Sequence, residues 1–185
     1  ERAQAIAPAS VPVAREKVAL PAIERLDSIE AFSARVKEMA KTAQWASAYY
    51  GIELTAATES VRLSLPIGGD LFSAGVTEDE AEQALLPLLE ADCPKSLYNV
   101  KTMRTESMCG QIADVMLAAY ALNPQRESFS AEALCQAEGI EDFAAHPAQA
   151  IHELSEIQAR QLKETGLERI YSEIELPLSN VLRDM

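Results

Sequence analysis

Three short runs in succession limit this chain more than any other feature. Ala43–Tyr50 (AQWASAYY), Leu54–Glu59 and Val61–Ile67 follow one another with only Gly51 and the Glu59-Ser60 pair as turns. In the third run Val61, Leu63 and Leu65 alternate with Arg62 and Ser64. That is the period of a strand with one buried and one wet face. Three strands on links this short predict an antiparallel meander, and a meander needs helices or a second sheet to cover it.

Helical patterning flanks the three runs. Asp27 or Ser28 can cap a helix reaching about Ala40, with Ile29, Phe32, Val36 and Met39 on one stripe. Gly68, Gly69 and Gly75 mark a loop, and Thr77 with Glu80 forms a capping box ahead of a helix to about Ala91. Pro87 should kink that helix or end it early. Ser96–Val100 reads as a short apolar strand, and everything from Lys101 onward reads as helix. Ile112–Leu122 stops before Asn123-Pro124, Ser130 caps Ala131–Ala137, and Gly139 ends it. Pro147 suits the first position of a long helix with Ile151, Leu154, Ile157 and Leu162 on its core face. Gly166 breaks or bends it; Leu167, Ile170, Tyr171, Ile174, Leu178, Val181 and Leu182 continue the pattern, with a kink at Pro177. The sum is an α/β fold: a mixed sheet containing an antiparallel meander, followed by many helices. Residues 1–24, rich in Ala and Val and punctuated by Pro8, Pro12 and Pro21, read as a linker.

Composition bears on partners. The chain of 185 residues carries 16 basic and 29 acidic side chains, a net charge of −13. Nucleic-acid binding relies on Lys and Arg releasing counterions from phosphates, so strong DNA binding by this chain alone is not expected. A hydrophobic fraction of 48% with mean hydropathy −0.06, and no apolar run near the roughly 18 residues of a membrane span, predict a soluble domain with no membrane partner. Cys93, Cys109 and Cys135 lack the spacing of a zinc site and are odd in number, which predicts reduced thiols in a cytoplasmic protein. The chain opens on Glu1 with no basic or apolar leader, which predicts no signal peptide, and the missing initiator Met reads as a piece of a longer protein.

Three stretches carry a family resemblance: YNVK at Tyr98–Lys101, DVMLAAYALNP at Asp114–Pro124, and YSEIELPLSNVL at Tyr171–Leu182. Together they resemble the 3′–5′ exonuclease domain of bacterial DNA polymerase I, family A, over roughly residues 26–185. The resemblance implies a ribonuclease-H-like fold and a domain over residues 25–185 that ends at the junction to a polymerase thumb. It also implies two divalent metals held by carboxylates, which activate a water and stabilise the leaving oxygen of a phosphodiester. The family supplies these as Asp-x-Glu on the first strand, an Asp after the Asn-x-Lys strand, and Tyr-x-x-x-Asp on a late helix.

The chain departs from all three. Thr42–Tyr50 has no Asp or Glu, and Glu53 lies past the turn. Asn99 and Lys101 match the second motif, but Met103 stands at its Asp. In the third, Phe143 replaces the Tyr and Pro147 the Asp, with Gln149 two residues on. The expectation is therefore no catalytic residue, no metal ligand and no cofactor in this piece.

Other residues with possible chemistry have plainer readings. Asp114 suits a helix N-terminus, and Glu78, Asp79, Glu80 and Glu82 favour the first turns of theirs. His146 and His152 do not share a helix face; His152 and Glu156 can, as a solvated pair. Trp45, Tyr49 and Tyr50 could stack bases but read as core packing, Lys101 as surface, and Met103, Met108 and Met116 as core filling.

Three functions follow as expectations. One is a catalytically inactive, structural exonuclease-like domain of a DNA polymerase I that extends primers in replication and repair. Its partners would be the 5′-nuclease and polymerase modules of the same chain, with DNA met only in that context. The second is an active metal-dependent exonuclease with relocated carboxylates, for which Asp114, Glu106 and Glu153 are the candidates. The third is a helical interaction module, which a sheet-free structure would favour.

Overall fold

The computed structural model describes residues 21–67, 75–103 and 108–178. The order is β1 (Ile23–Arg25), α1 (Ile29–Ala40), β2 (Ala46–Tyr50), β3 (Glu53–Ala57), β4 (Arg62–Pro66), α2 (Glu78–Leu89), β5 (Lys95–Leu97), β6 (Ile112–Asp114), α3 (Val115–Leu122), α4 (Ala131–Ala137), α5 (Pro147–Thr165) and α6 (Glu168–Ile170). A 3-10 turn at Val100–Thr102 and a π turn at Tyr171–Glu175 complete it.

Six strands form one mixed sheet in the order β1-β4-β3-β2-β5-β6. β2, β3 and β4 are the predicted antiparallel meander, with Tyr50 opposite Leu54 and Glu53 opposite Pro66. β5 joins β2 in parallel, and β6 joins β5 in parallel. This is the expected mixed sheet with its antiparallel meander, and not the sheet-free structure that would favour a helical module.

The alternation of the strands sends side chains into two separate cores. Ala46, Ala48, Leu54, Ala56, Leu63 and Leu65 point to one face and pack with Phe32, Val36 and Met39 of α1 and Leu85, Leu88 and Leu89 of α2. Each fully buried Leu or Phe there contributes about 1.5–3 kcal/mol over its exposed state. The opposite face lies under α5, whose Ile151 and Leu154 join Val115, Leu134 and Cys135 in a second core. The predicted Cys93 and Cys135 thiols are buried; Cys109 is exposed.

The predicted helix signals act as expected. Ser28 Oγ accepts from the Ala31 amide, Thr77 and Glu80 close a full capping box, and Ser130 caps α4. Glu78 and Asp79 share the first turn of α2 with Glu80. Pro87 sits inside α2, which runs only two residues further, to Leu89 rather than Ala91. Gly166 ends α5 in the left-handed region at φ 72°, and the Leu167 amide reaches back to the Leu162 carbonyl. The expected irregularity at Pro177 takes the form of the π turn just before it, with the Leu176 amide bonded to the Tyr171 carbonyl. Widening that turn relieves the clash between a proline ring and the carbonyl four residues back.

Several boundaries differ from the sequence reading. Ile23 and Glu24, assigned to the linker, lie in β1, which pairs in parallel with β4 from Ile23 opposite Arg62. Ile112–Asp114, read as helix, is an edge strand, and α3 begins only at Val115. The apolar run is continuous through both, so hydropathy alone hides the change of period. The strand read at Ser96–Val100 is Lys95–Leu97, because Asn99 turns left-handed at φ 57° and starts the 3-10 turn. The strand expected from Ala43 begins at Ala46. Arg62 and Ser64, expected on a wet face, are buried, because α5 covers that side of the sheet and Gln149 of α5 bonds Arg62. Residues 1–20, Gly68, Gly69, Glu106, Val181 and Leu182 lie outside the described residues.

Candidate functional site

The face of the sheet under α5 brings together Tyr49, Phe143 and Gln149, three residues singled out in the sequence. Two β2 side chains share this face with the spacing of Asp-x-Glu: Ser47 and Tyr49. Ser47 is buried and donates its hydroxyl to the Ser96 carbonyl at 2.8 Å. Tyr49 packs edge-on against Phe143 at 5.3 Å and against Tyr98 at 5.9 Å. Burial pushes the Tyr49 and Tyr98 phenols above their ordinary pKa, so both stay neutral. Tyr98 donates its hydroxyl to the Phe129 carbonyl at 3.0 Å. An apolar cluster of three rings therefore closes the space between the end of β2 and the start of α5. Sequence reasoning reached Phe143 and Tyr49 singly but not their contact, since about ninety residues separate them.

The other motif positions are dispersed. Asn99 is a backbone hinge, Lys101 is exposed, and Met103 is half-buried against the first core. Pro147 is the first residue of α5, as its ring favours. Gln149 is buried, accepts from Arg62 at 2.7 Å and donates to Glu153 at 3.2 Å.

Asp114 does more than the expected dipole contact. It caps α3 by accepting from the Met116 and Leu117 amides at 3.0 and 3.2 Å. The same carboxylate accepts from the Asn99 and Val100 amides at 3.1 and 2.8 Å. It is 3% exposed. Burial raises its pKa and the four amide donors oppose that rise. Its backbone is held in turn by the Tyr171 hydroxyl, which accepts from the Asp114 amide at 2.8 Å and donates to its carbonyl at 3.2 Å.

Serine, histidine and tryptophan side chains extend the polar layer. Ser96 Oγ lies 2.6 Å from Ser155 Oγ and 3.3 Å from His152 Nδ1. Trp45 stacks face to face on His152, with ring centroids 3.6 Å apart and planes at 4°. Trp45 thus packs on a helix rather than in the strand core. Tyr50 is partly exposed and donates its hydroxyl to the Val76 carbonyl. Burial pushes the His152 pKa down, and the nearby Arg62 adds to this against Glu156 and Glu153.

A pair of divalent metals needs several converging oxygen donors. The residues of this face do not fit one. Among the described residues no three His, Cys, Asp or Glu side chains lie close enough to hold a metal ion. Of the relocated candidates, Asp114 has both oxygens committed to amides, Glu153 lies beside Gln149 on α5, and Glu106 is outside the described residues. No helix among the described residues is long and apolar enough to cross a membrane.

No family model matches the chain, and no curated protein sequence matches it. Among solved structures it is similar to the POL domain of Pol1 from M. smegmatis in complex with DNA primer-template and dNTP. That match has a TM-score of 0.60 at 20% identity and covers 86% of this chain and 31% of that one. The catalytic core of RRP6 from Trypanosoma brucei aligns with a TM-score of 0.45 at 12% identity, over 91% of this chain and 53% of that one. The chain thus shares its fold with a region about a third the length of the solved polymerase domain.

Proposed function

We propose that this is a catalytically silent exonuclease-like domain of a family-A DNA polymerase, one that braces the polymerase module and sets the spacing of its neighbours. The observation that carries the reading is the ring cluster of Tyr49, Tyr98 and Phe143 on the sheet face where carboxylates would be needed. Asp114, locked onto four amides, supports it. The residues ahead of β1 serve as a linker, the polymerase and 5′-nuclease modules of the parent are the partners, and DNA is met through them. Primer extension belongs to the parent, in the cytoplasm.

Titrating Mn²⁺ while following thermal unfolding tests this. A specific site filled to about one hundred times its dissociation constant would add about 2.7 kcal/mol. In a protein of this size that raises Tm by about 5–10 °C. The silent reading expects no such rise and no release of nucleotides from a 3′-labelled single strand. Saturable stabilisation with nucleotide release would establish the exonuclease instead.

A further inference from the structure

The apolar cluster where α3 meets the π turn is unfinished. Ala118, Leu162 and Tyr171 are buried in it, but Leu117, Leu122, Leu167 and Leu176, which pack on them, are only half-buried. α3 has no charged side chain in its eight residues. A helix that is apolar all round belongs in an interior, yet Tyr120 of α3 is exposed. Beside this cluster Ile170, Ile174 and Leu178 follow at steps of four residues and are 44%, 56% and 47% exposed. Such a series drifts round an α-helix of about 3.6 residues per turn. The π turn at Tyr171–Glu175 is wider, takes up that drift and keeps the three side chains in one row. Single exposed apolar side chains are ordinary, but a row beside a half-open core marks an interaction face.

We propose that the Ile170, Ile174 and Leu178 row is the face on which this domain docks to the polymerase module of its own parent chain, and that the module meets it with an apolar surface rimmed by Lys and Arg. This rests on the reading above that the chain is one domain of a polymerase. Size selects a tethered partner. A stable complex of free partners buries about 1,200–2,000 Å², more than three half-exposed aliphatic side chains and the margin of one small cluster offer. A covalently linked partner stands at an effective concentration of about millimolar, where a small face suffices. Charge selects against a second copy. Within Leu167–Leu178 the acids are Glu168, Glu173 and Glu175, and the one base, Arg169, is already paired with Glu173 at 2.7 Å. Each copy also carries a net charge of −13. Two copies joined through this row would set like charges against each other, which is unfavourable, whereas a basic rim would complement them.

The experiment compares maleimide labelling of Ile174→Cys in the 185-residue protein and in the full-length parent, read peptide by peptide by mass spectrometry. Ser172→Cys, exposed on another side of the same turn, is the control. Ile174→Cys should label about tenfold or more slowly in the parent, the effect of about 1.4 kcal/mol of docking, while Ser172→Cys labels at similar rates in both. Amide exchange over residues 168–178 of the unsubstituted proteins should show the same slowing, and it decides the matter if a variant does not fold. Equal Ile174→Cys rates in a parent that extends primers would overturn the docking face and leave the polymerase reading standing. A parent that extends no primer would remove that reading, and this proposal with it. Labelling of the 185-residue protein that slows as its own concentration rises would assign the row to a second copy and overturn the proposal.

Discussion

Replacing Asp114 by alanine is the most direct test of how this fold is held. The carboxylate ties two segments together: the left-handed turn at Asn99 and Val100, and the first turn of α3. Losing the cap costs about 0.5–2 kcal/mol. Each of the other two amides loses a charged acceptor, worth about 1.5–3 kcal/mol. Relief of the carboxylate's burial offsets part of this, which leaves a net loss of about 3–5 kcal/mol. A protein of this size has about 5–15 kcal/mol in total, so Tm should fall by about 6–20 °C. Asp114→Asn keeps one acceptor oxygen and should lose about half as much. Urea unfolding followed by far-ultraviolet circular dichroism measures both, with EDTA and again with Mn²⁺. The loss should be the same in the two conditions, because the carboxylate serves amides and not an ion. An alanine variant within about 0.5 kcal/mol of the parent, or a loss that appears only with Mn²⁺, would refute the reasoning.

Lys95 is the second buried anchor: at 2% exposure it donates to the Ala91, Cys93 and Cys109 carbonyls. Lys95→Met should cost about 3 kcal/mol by stranding those acceptors, read by the same unfolding assay. Gly110 and Gly166 have φ 77° and 72°, but a Cβ at Gly110 would meet the Cys93 carbonyl whereas at Gly166 nothing lies within 4 Å. Gly166→Ala should therefore cost about 1–2 kcal/mol and Gly110→Ala clearly more, a ranking that thermal melts will report. His152 provides a pH dependence. Burial holds its folded pKa below the ordinary 6.5, so between the two values the unfolded chain binds more protons. Its contribution is fully present above about pH 6.5 and is lost as the pH falls through the folded pKa. His152→Phe should flatten that acid slope in a plot of Tm against pH.

Local rules made much of this architecture readable. Ser28, Thr77 with Glu80, Ser130 and Pro147 mark helix starts because each satisfies or removes an orphan amide within its own turn. The meander was legible because its turns are short. β1 and β6 were not, because three residues are too few to display a period, and their identity comes from partners far along the chain. The site divides the same way. The missing acids at Met103 and Pro147 are visible in the sequence, but the ring cluster is a product of tertiary approach. So is the burial of Arg62: a charged residue in an alternating strand reads as wet until a helix is laid across it.

The two flanks of the sheet have a mechanical consequence. The first residues of the described structure are stitched to one lateral edge through β1, and Tyr171 is tethered to the backbone of β6 at the other. Five inter-strand spacings of about 4.8 Å separate those edges. A load applied through both flanks would therefore run across the strands and stretch the inter-strand ladders in series, instead of shearing them lengthwise. Its shortest link is the two-residue pairing of β2 with β5, so β5 and β6 would part from the meander together before β1 peels from β4.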